Sequence, residues 1–135
     1  MSGGLRDLKV WQEAVALAAD VIRAMRHSNR REIKAIAELV MLTALGVASH
    51  IAEGYGRYTA PEQLQIYRAA RRDLLRLETQ LAVAHHADLI SAANLSHLTQ
   101  RVQLVARLLG GYLVYLDRQL SDAGGVSRDS ARSPE

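Results

Sequence analysis

The chain has 135 residues, 49% of them hydrophobic and 23% charged, which is one domain's worth of foldable sequence. No Cys occurs, and the prolines are Pro61 and Pro134 alone, which excludes a disulfide framework, a thiol nucleophile, Cys-ligated zinc and Pro-rich or collagen-like architectures. The formal charge of +3 rests on 15 Arg against two Lys, which reads either as a footprint for an acidic partner such as RNA or as an Arg preference on solvated faces.

Residues 1–6 carry no apolar pattern and are expected to be flexible. They also lack the basic stretch and apolar run of a signal peptide. A first helix is expected over 7–26. Leu8, Trp11, Val15, Ala18, Ile22 and Met25 form one stripe at 3-4 spacing, and Val10, Ala14, Leu17 and Val21 form a second beside it. So wide an apolar arc can face a core and a partner subunit together. His27, Ser28 and Asn29 break the pattern, and Asn29 with Glu32 has capping-box spacing.

A second helix is expected over 30–52, on a stripe of Ile33, Ala37, Val40, Ala44, Val47 and Ile51. Leu39, Met41, Leu42 and Leu45 add apolar surface elsewhere on its circumference, more than a small domain buries alone. Its least polar part, 39–52, falls short of the roughly 20 residues that span a bilayer, so a cytoplasmic protein without a membrane partner is expected. Gly54 and Gly56 are expected to end this helix, with 53–60 as a loop.

Thr59 and Glu62 have capping-box spacing, and Pro61 suits a first helical turn, so a third helix is expected over 61–86. Its stripe is Tyr67, Ala70, Leu74, Leu77, Leu81 and Ala84. Asn94 is the expected cap of a fourth helix reaching Leu120, on Leu98, Val102, Val105, Leu109, Tyr112 and Leu116. Gly110 and Gly111 inside that pattern are read as permitting close helix packing. Residues 121–135 are polar, small and expected to be disordered. No strand alternation occurs. The economical packing is all-α, an antiparallel up-down-up-down four-helix bundle over 7–120, and the surplus apolar faces predict a homo-oligomer.

Chemistry is sparse. There is no GxxxxGK phosphate loop and no HExxH. His50 and Glu53 show the Glu-x-x-His spacing of di-iron bundles in reversed order and without companions, so a His50/Glu53 enzyme is the remotest reading. His85, His86 and His97 could meet near one connection, but adjacent histidines diverge by about 100° on a helix. Ser28, Ser49, Ser91 and Ser96 have no recognisable triad partners. No enzyme activity, no cofactor, no metal and no small-molecule substrate are expected. The strongest feature is Arg68, Arg72 and Arg76 at i, i+4, i+8, with Arg71 beside them and Asp73 able to relieve Arg76. This row can meet nucleic-acid phosphates, acidic groups of a neighbouring subunit, or solvent. Tyr55 and Tyr58 flank Arg57, where rings could stack on RNA bases, or Tyr55 could cap the bundle end. Trp11 is read as packing, and Tyr112 and Tyr115 as core and subunit-interface residues.

Leu8-Lys9-Val10-Trp11-Gln12-Glu13-Ala14 resembles the "LxVWQxA" opening of the four-helix bundle proteins encoded in 23S rRNA intervening sequences. Ser49-His50-Ile51-Ala52-Glu53-Gly54-Tyr55-Gly56-Arg57 resembles that family's "SNIAEGxGR". Tyr67-Arg68-Ala69-Ala70-Arg71 followed by Leu77-Glu78-Thr79-Gln80-Leu81 resembles its "FxxxAR…LETQL". The three stand in register over about 7–118. The chain departs from the pattern at His50, where Asn is usual, at Arg72-Asp73, where Gly-Ser is common, and at Leu42-Thr43, where a basic pair is common. The resemblance implies an antiparallel four-helix bundle. It also implies similarity in fold to accessory proteins of diversity-generating retroelements, which form barrel-like pentamers and use basic surface to bind nucleic acid and a reverse transcriptase. The expectation is therefore a non-enzymatic homo-oligomer, a pentamer, that binds structured RNA such as rRNA through Arg57, Arg68, Arg71, Arg72 and Arg76. The loop motif Glu53, Gly54, Tyr55 and Gly56 would present Arg57. The alternative is an interaction scaffold whose arginines make subunit or partner contacts.

Overall fold

The computed structural model describes residues 4–26 and 31–132, with side chains to residue 122. One 3₁₀ turn, Leu5–Asp7, leads into four helices: α1 (Lys9–Met25), α2 (Arg31–Tyr55), α3 (Ala60–His86) and α4 (Ala92–Arg132). The expected cap at Asn29 lies outside the described residues. Each helix packs on the next, and α1 closes against α4. Neighbours run antiparallel where side chains mark the register. Gly46 and His50 of α2 meet Asp73 of α3 while Gly54 meets Tyr67, and Glu13 of α1 pairs with Arg101 of α4 while Asp20 reaches back to His97.

The core follows the 3-4 stripes. On α3, Tyr67, Ala70, Leu74, Leu77, Leu81 and Ala84 are all buried. On α2, Ala37, Val40, Ala44, Val47 and Ile51 are buried while Ile33 is only partly so, and on α4 Leu98, Val102, Val105, Leu109 and Leu116 are buried together with Leu113, whereas the expected Tyr112 is half-buried. On α1 the second stripe wins. Val10, Ala14, Leu17 and Val21 all enter the core, whereas of the first stripe only Ala18 and Met25 do, with Val15 exposed and Trp11 half-buried at the core's margin.

Helix ends follow local chemistry. Thr59 is extended at φ −114°, ψ 150°, and its hydroxyl accepts from the Glu62 N–H at 3.4 Å, with Pro61 in the first turn. At the other end of α3, Asp88 takes φ 62°, a left-handed geometry that Asp tolerates better than most residues, and the Leu89 N–H returns to the Ala84 carbonyl at 2.8 Å. Ser91, not Asn94, caps α4: the Asn94 N–H donates to Ser91 Oγ at 3.0 Å, and the helix begins at Ala92, three residues earlier than a cap at Asn94 would set it.

Two expectations need correction. Gly54 does not end α2. It sits buried inside the helix, which runs on to Tyr55, and a Cβ there would lie 2.5 Å from Tyr67 Cε1, so close approach of α3 is what requires the glycine. Gly110 and Gly111 are the converse: a Cβ at either meets nothing within 4 Å, so among the described residues no helix packs closely there. The backbone of α4 is helical to Arg132. Among the described side chains, Leu120 is still the last one packed against the core.

Candidate nucleic-acid interface

The last turns of α2, the turn to α3 and the first half of α3 build one end of the bundle. The chain turns tightly because the Gly56 N–H still bonds to the Ala52 carbonyl and the Arg57 N–H donates to the Gly54 carbonyl at 3.2 Å. Gln63 Nε2 then donates to the Arg57 carbonyl at 3.3 Å and ties the turn to α3. Arg57 and Tyr58 project from this turn, and Tyr58 is 99% exposed. Tyr55 is half-buried. Tyr67 fills the bundle end behind it, edge-on to Tyr112 with ring centroids 5.6 Å apart. Burial pushes the Tyr67 hydroxyl up to about 12, and the Tyr112 and Tyr55 hydroxyls act in the same direction.

Between α2 and α3 lies an open cleft of about 460 Å³. His50, Glu53 and Arg57 line it from the α2 side, and Glu62, Gln65, Ile66, Ala69 and Arg72 from α3. His50 reaches it from a fixed position. Its Nδ1 lies 2.5 Å from Asp73 Oδ2, and Asp73 is buried on α3. One proton is shared between Nδ1 and the carboxylate oxygen, and Nε2 stays free of that bond. Space for the Asp73 carboxylate exists because residue 46 is glycine, where a Cβ would stand 3.2 Å from Oδ2. Arg76 Nη1 approaches the other Asp73 oxygen at 3.9 Å. Sequence reasoning had no means to pair His50 with Asp73, although both positions depart from the resembled motifs.

The arginine row does not stay on one face. Each i to i+4 step advances about 40° around a helix. Arg68 accordingly reaches α4 and pairs with Asp117 at 3.3 Å, Arg72 lines the cleft toward α2, and Arg76 leans on Asp73. Arg57, Arg71 and Arg72 form no ion pair with another described residue, and all three are exposed. Glu53 and Gly54 belong to helix α2, so of the motif 53–56 only Gly56 lies in the turn. The structure therefore brings Glu53, Arg57 and Arg72 together and sends Arg68 elsewhere.

The histidines considered for a metal have separate partners. His85 Nδ1 lies 3.2 Å from the Ile90 carbonyl, His86 Nδ1 lies 3.2 Å from the Ala82 carbonyl, and His97 Nε2 lies 3.0 Å from Asp20 Oδ2. Among the described residues no three His, Asp or Glu side chains converge as a metal site. Asp20 anchors a polar seam between α1 and α4. Burial works to raise its pKa, but hydrogen bonds from Arg23 and His97 and the Arg101 charge outweigh it and hold the carboxyl below its ordinary value.

Away from this end, Ile36, Leu39, Leu42 and Leu45 stand exposed along α2, with Val15 exposed on α1. Leu42 is 63% exposed, a large side chain to leave in water. Among the described helices, α2 alone has the length and mean hydropathy of a membrane span. Only 28% of that apolar stretch is buried in the bundle, on the face turned to α1 and α3.

The sequence model described as "23S rRNA-intervening sequence protein" matches residues 6–111, which takes in α1, α2, α3 and about half of α4. No curated protein matches the chain.

Proposed function

Because the chain belongs to the 23S rRNA-intervening sequence protein family, we propose that it is a non-catalytic, self-associating helical bundle that binds structured RNA in the cytoplasm. The family is named for a place in ribosomal RNA and not for a reaction. The observation that carries the RNA reading is the set of exposed guanidinium groups in the turn before α3 and along that helix to its middle. Arg57, Arg71 and Arg72 have no carboxylate partner among the described residues, and Arg76 has only a distant one. Unpaired arginines remain available to phosphate, and each phosphate contact adds affinity by releasing counterions. Arg68 is the weakest member, since it must first leave Asp117.

Self-association is supported by the apolar stripe on α2. The chain buries one face of that helix and leaves Ile36, Leu39, Leu42 and Leu45 to a neighbour. The resemblance to barrel-forming accessory proteins favours five copies, which would repeat the arginine clusters around one assembly. A second reading has one observation behind it. Arg68–Asp117 shows an arginine of this row joining helices, so other arginines could serve partner contacts in a scaffold.

A salt titration of rRNA-fragment binding separates the two. The RNA reading predicts affinity that falls steeply between about 50 and 200 mM salt. It also predicts that the Arg68/Arg71/Arg72/Arg76→Ala variant loses binding while keeping its assembled mass. A variant that binds RNA like the parent but dissociates in size-exclusion chromatography establishes the scaffold instead.

A further inference from the structure

The cleft between α2 and α3 is wrong for a continuous phosphate backbone. Glu53 and Glu62 line it together with Arg57 and Arg72, so a polyanion threading through would meet two carboxylates. A basic peptide fares no better beside the two guanidinium groups. In the antiparallel register that sets His50 against Asp73 and Gly54 against Tyr67, Arg72 stands toward one end of the cleft, Arg57 and Glu62 toward the other, and Glu53 between them, an order that suits a ligand anionic at its flanks and rich in N–H donors at its centre. A nucleotide has that polarity, with a phosphate on either side of a base. The volume of about 460 Å³ lies in the range of roughly 300–1,000 Å³ typical of small-ligand clefts. Ile66 and Ala69 give it an apolar patch, and Tyr58, next to Arg57 in the chain, offers a ring 99% exposed to solvent. Bases displaced from a helix are held by such surfaces and read along their hydrogen-bonding edges.

The base follows from the acceptors. A carboxylate presents two oxygens that only accept. Guanine places N1–H and the N2 amine side by side on its Watson–Crick edge and can donate to both oxygens at once. Adenine and cytosine each set an acceptor nitrogen beside their amine, and uracil has one N–H between two carbonyls. We propose that this cleft binds an unpaired guanine of the RNA, its Watson–Crick edge donating to Glu53 while Arg57 and Arg72 hold the flanking phosphates. The proposal rests on the RNA reading above and adds base specificity to it.

The test uses the full chain and three fluorescein-labelled RNA decamers: all uridine, uridine with one central guanosine, and uridine with one central adenosine. The guanosine decamer is expected to bind about tenfold tighter than the other two, the discrimination of one good paired contact. In a Glu53→Gln/Glu62→Gln variant, checked for unchanged helicity and assembled mass, the three RNAs are expected to bind alike, with uridine affinity no weaker than the parent's. Equal binding of all three by the parent overturns the guanine assignment and leaves the RNA reading standing. A guanosine preference that survives in the double variant overturns the placement in this cleft. Failure of every decamer, together with failure of the rRNA fragment, overturns both readings.

Discussion

Gly54 and Gly111 both lie inside helices, yet their surroundings oppose each other. A methyl group at Gly54 would enter the Tyr67 ring, whose Cε1 stands 2.5 Å from the new carbon, and the ring is fixed between buried neighbours. Gly54→Ala should therefore cost about 1–3 kcal/mol, the usual penalty of overpacking. At Gly111 the methyl group meets open space, so Gly111→Ala should gain about 0.5–1 kcal/mol of helix stability. Urea denaturation of the two variants checks both signs. The sequence shows both glycines but not this difference, because it depends on which residue of another helix stands opposite. The same holds for His50 and Asp73. Each is visible as a departure from the family's motifs, and only the antiparallel register of α2 on α3 shows that they meet.

At the scale of the helix, the 3-4 stripes made four elements and most of their buried faces legible. α3 and α4 carry their core where the spacing puts it. On α1 two stripes compete, and the packing of α2 and α4 decides between them. The arginine row is also legible as a row. Its division between Asp117, the cleft and Asp73 is not, since it arises from the drift of i+4 positions against two neighbouring helices.

The α1–α4 seam gives an element-level prediction. Asp20 is held below its ordinary pKa of 3.8, so its contribution is present above that pH and disappears as the pH falls through the lowered value. Asp20→Asn should cost on the order of 1 kcal/mol at pH 7, modest because Arg23 and His97 are more than half exposed and screened. The gap from the parent should close on acidification below pH 3.8, as followed by denaturation at several pH values. On α2, Leu39→Glu/Leu42→Glu changes two exposed positions and should alter helicity and single-chain stability by no more than about 1 kcal/mol. The same variant should dissociate the assembly in size-exclusion chromatography.

For the whole molecule, two of the exposed features differ in kind. One is the apolar stripe of α2, and the other is the set of unpaired guanidinium groups of Arg57, Arg71 and Arg72. In the proposed assembly, identical copies would cover the first and so set the number and spacing of the second, giving a chain of net charge +3 a multivalent surface for RNA. Light scattering coupled to size-exclusion chromatography, at micromolar concentration and ordinary salt, tests this most directly. The account predicts a mass about five times the 14.9 kDa chain, and a mass of 14.9 kDa would contradict it.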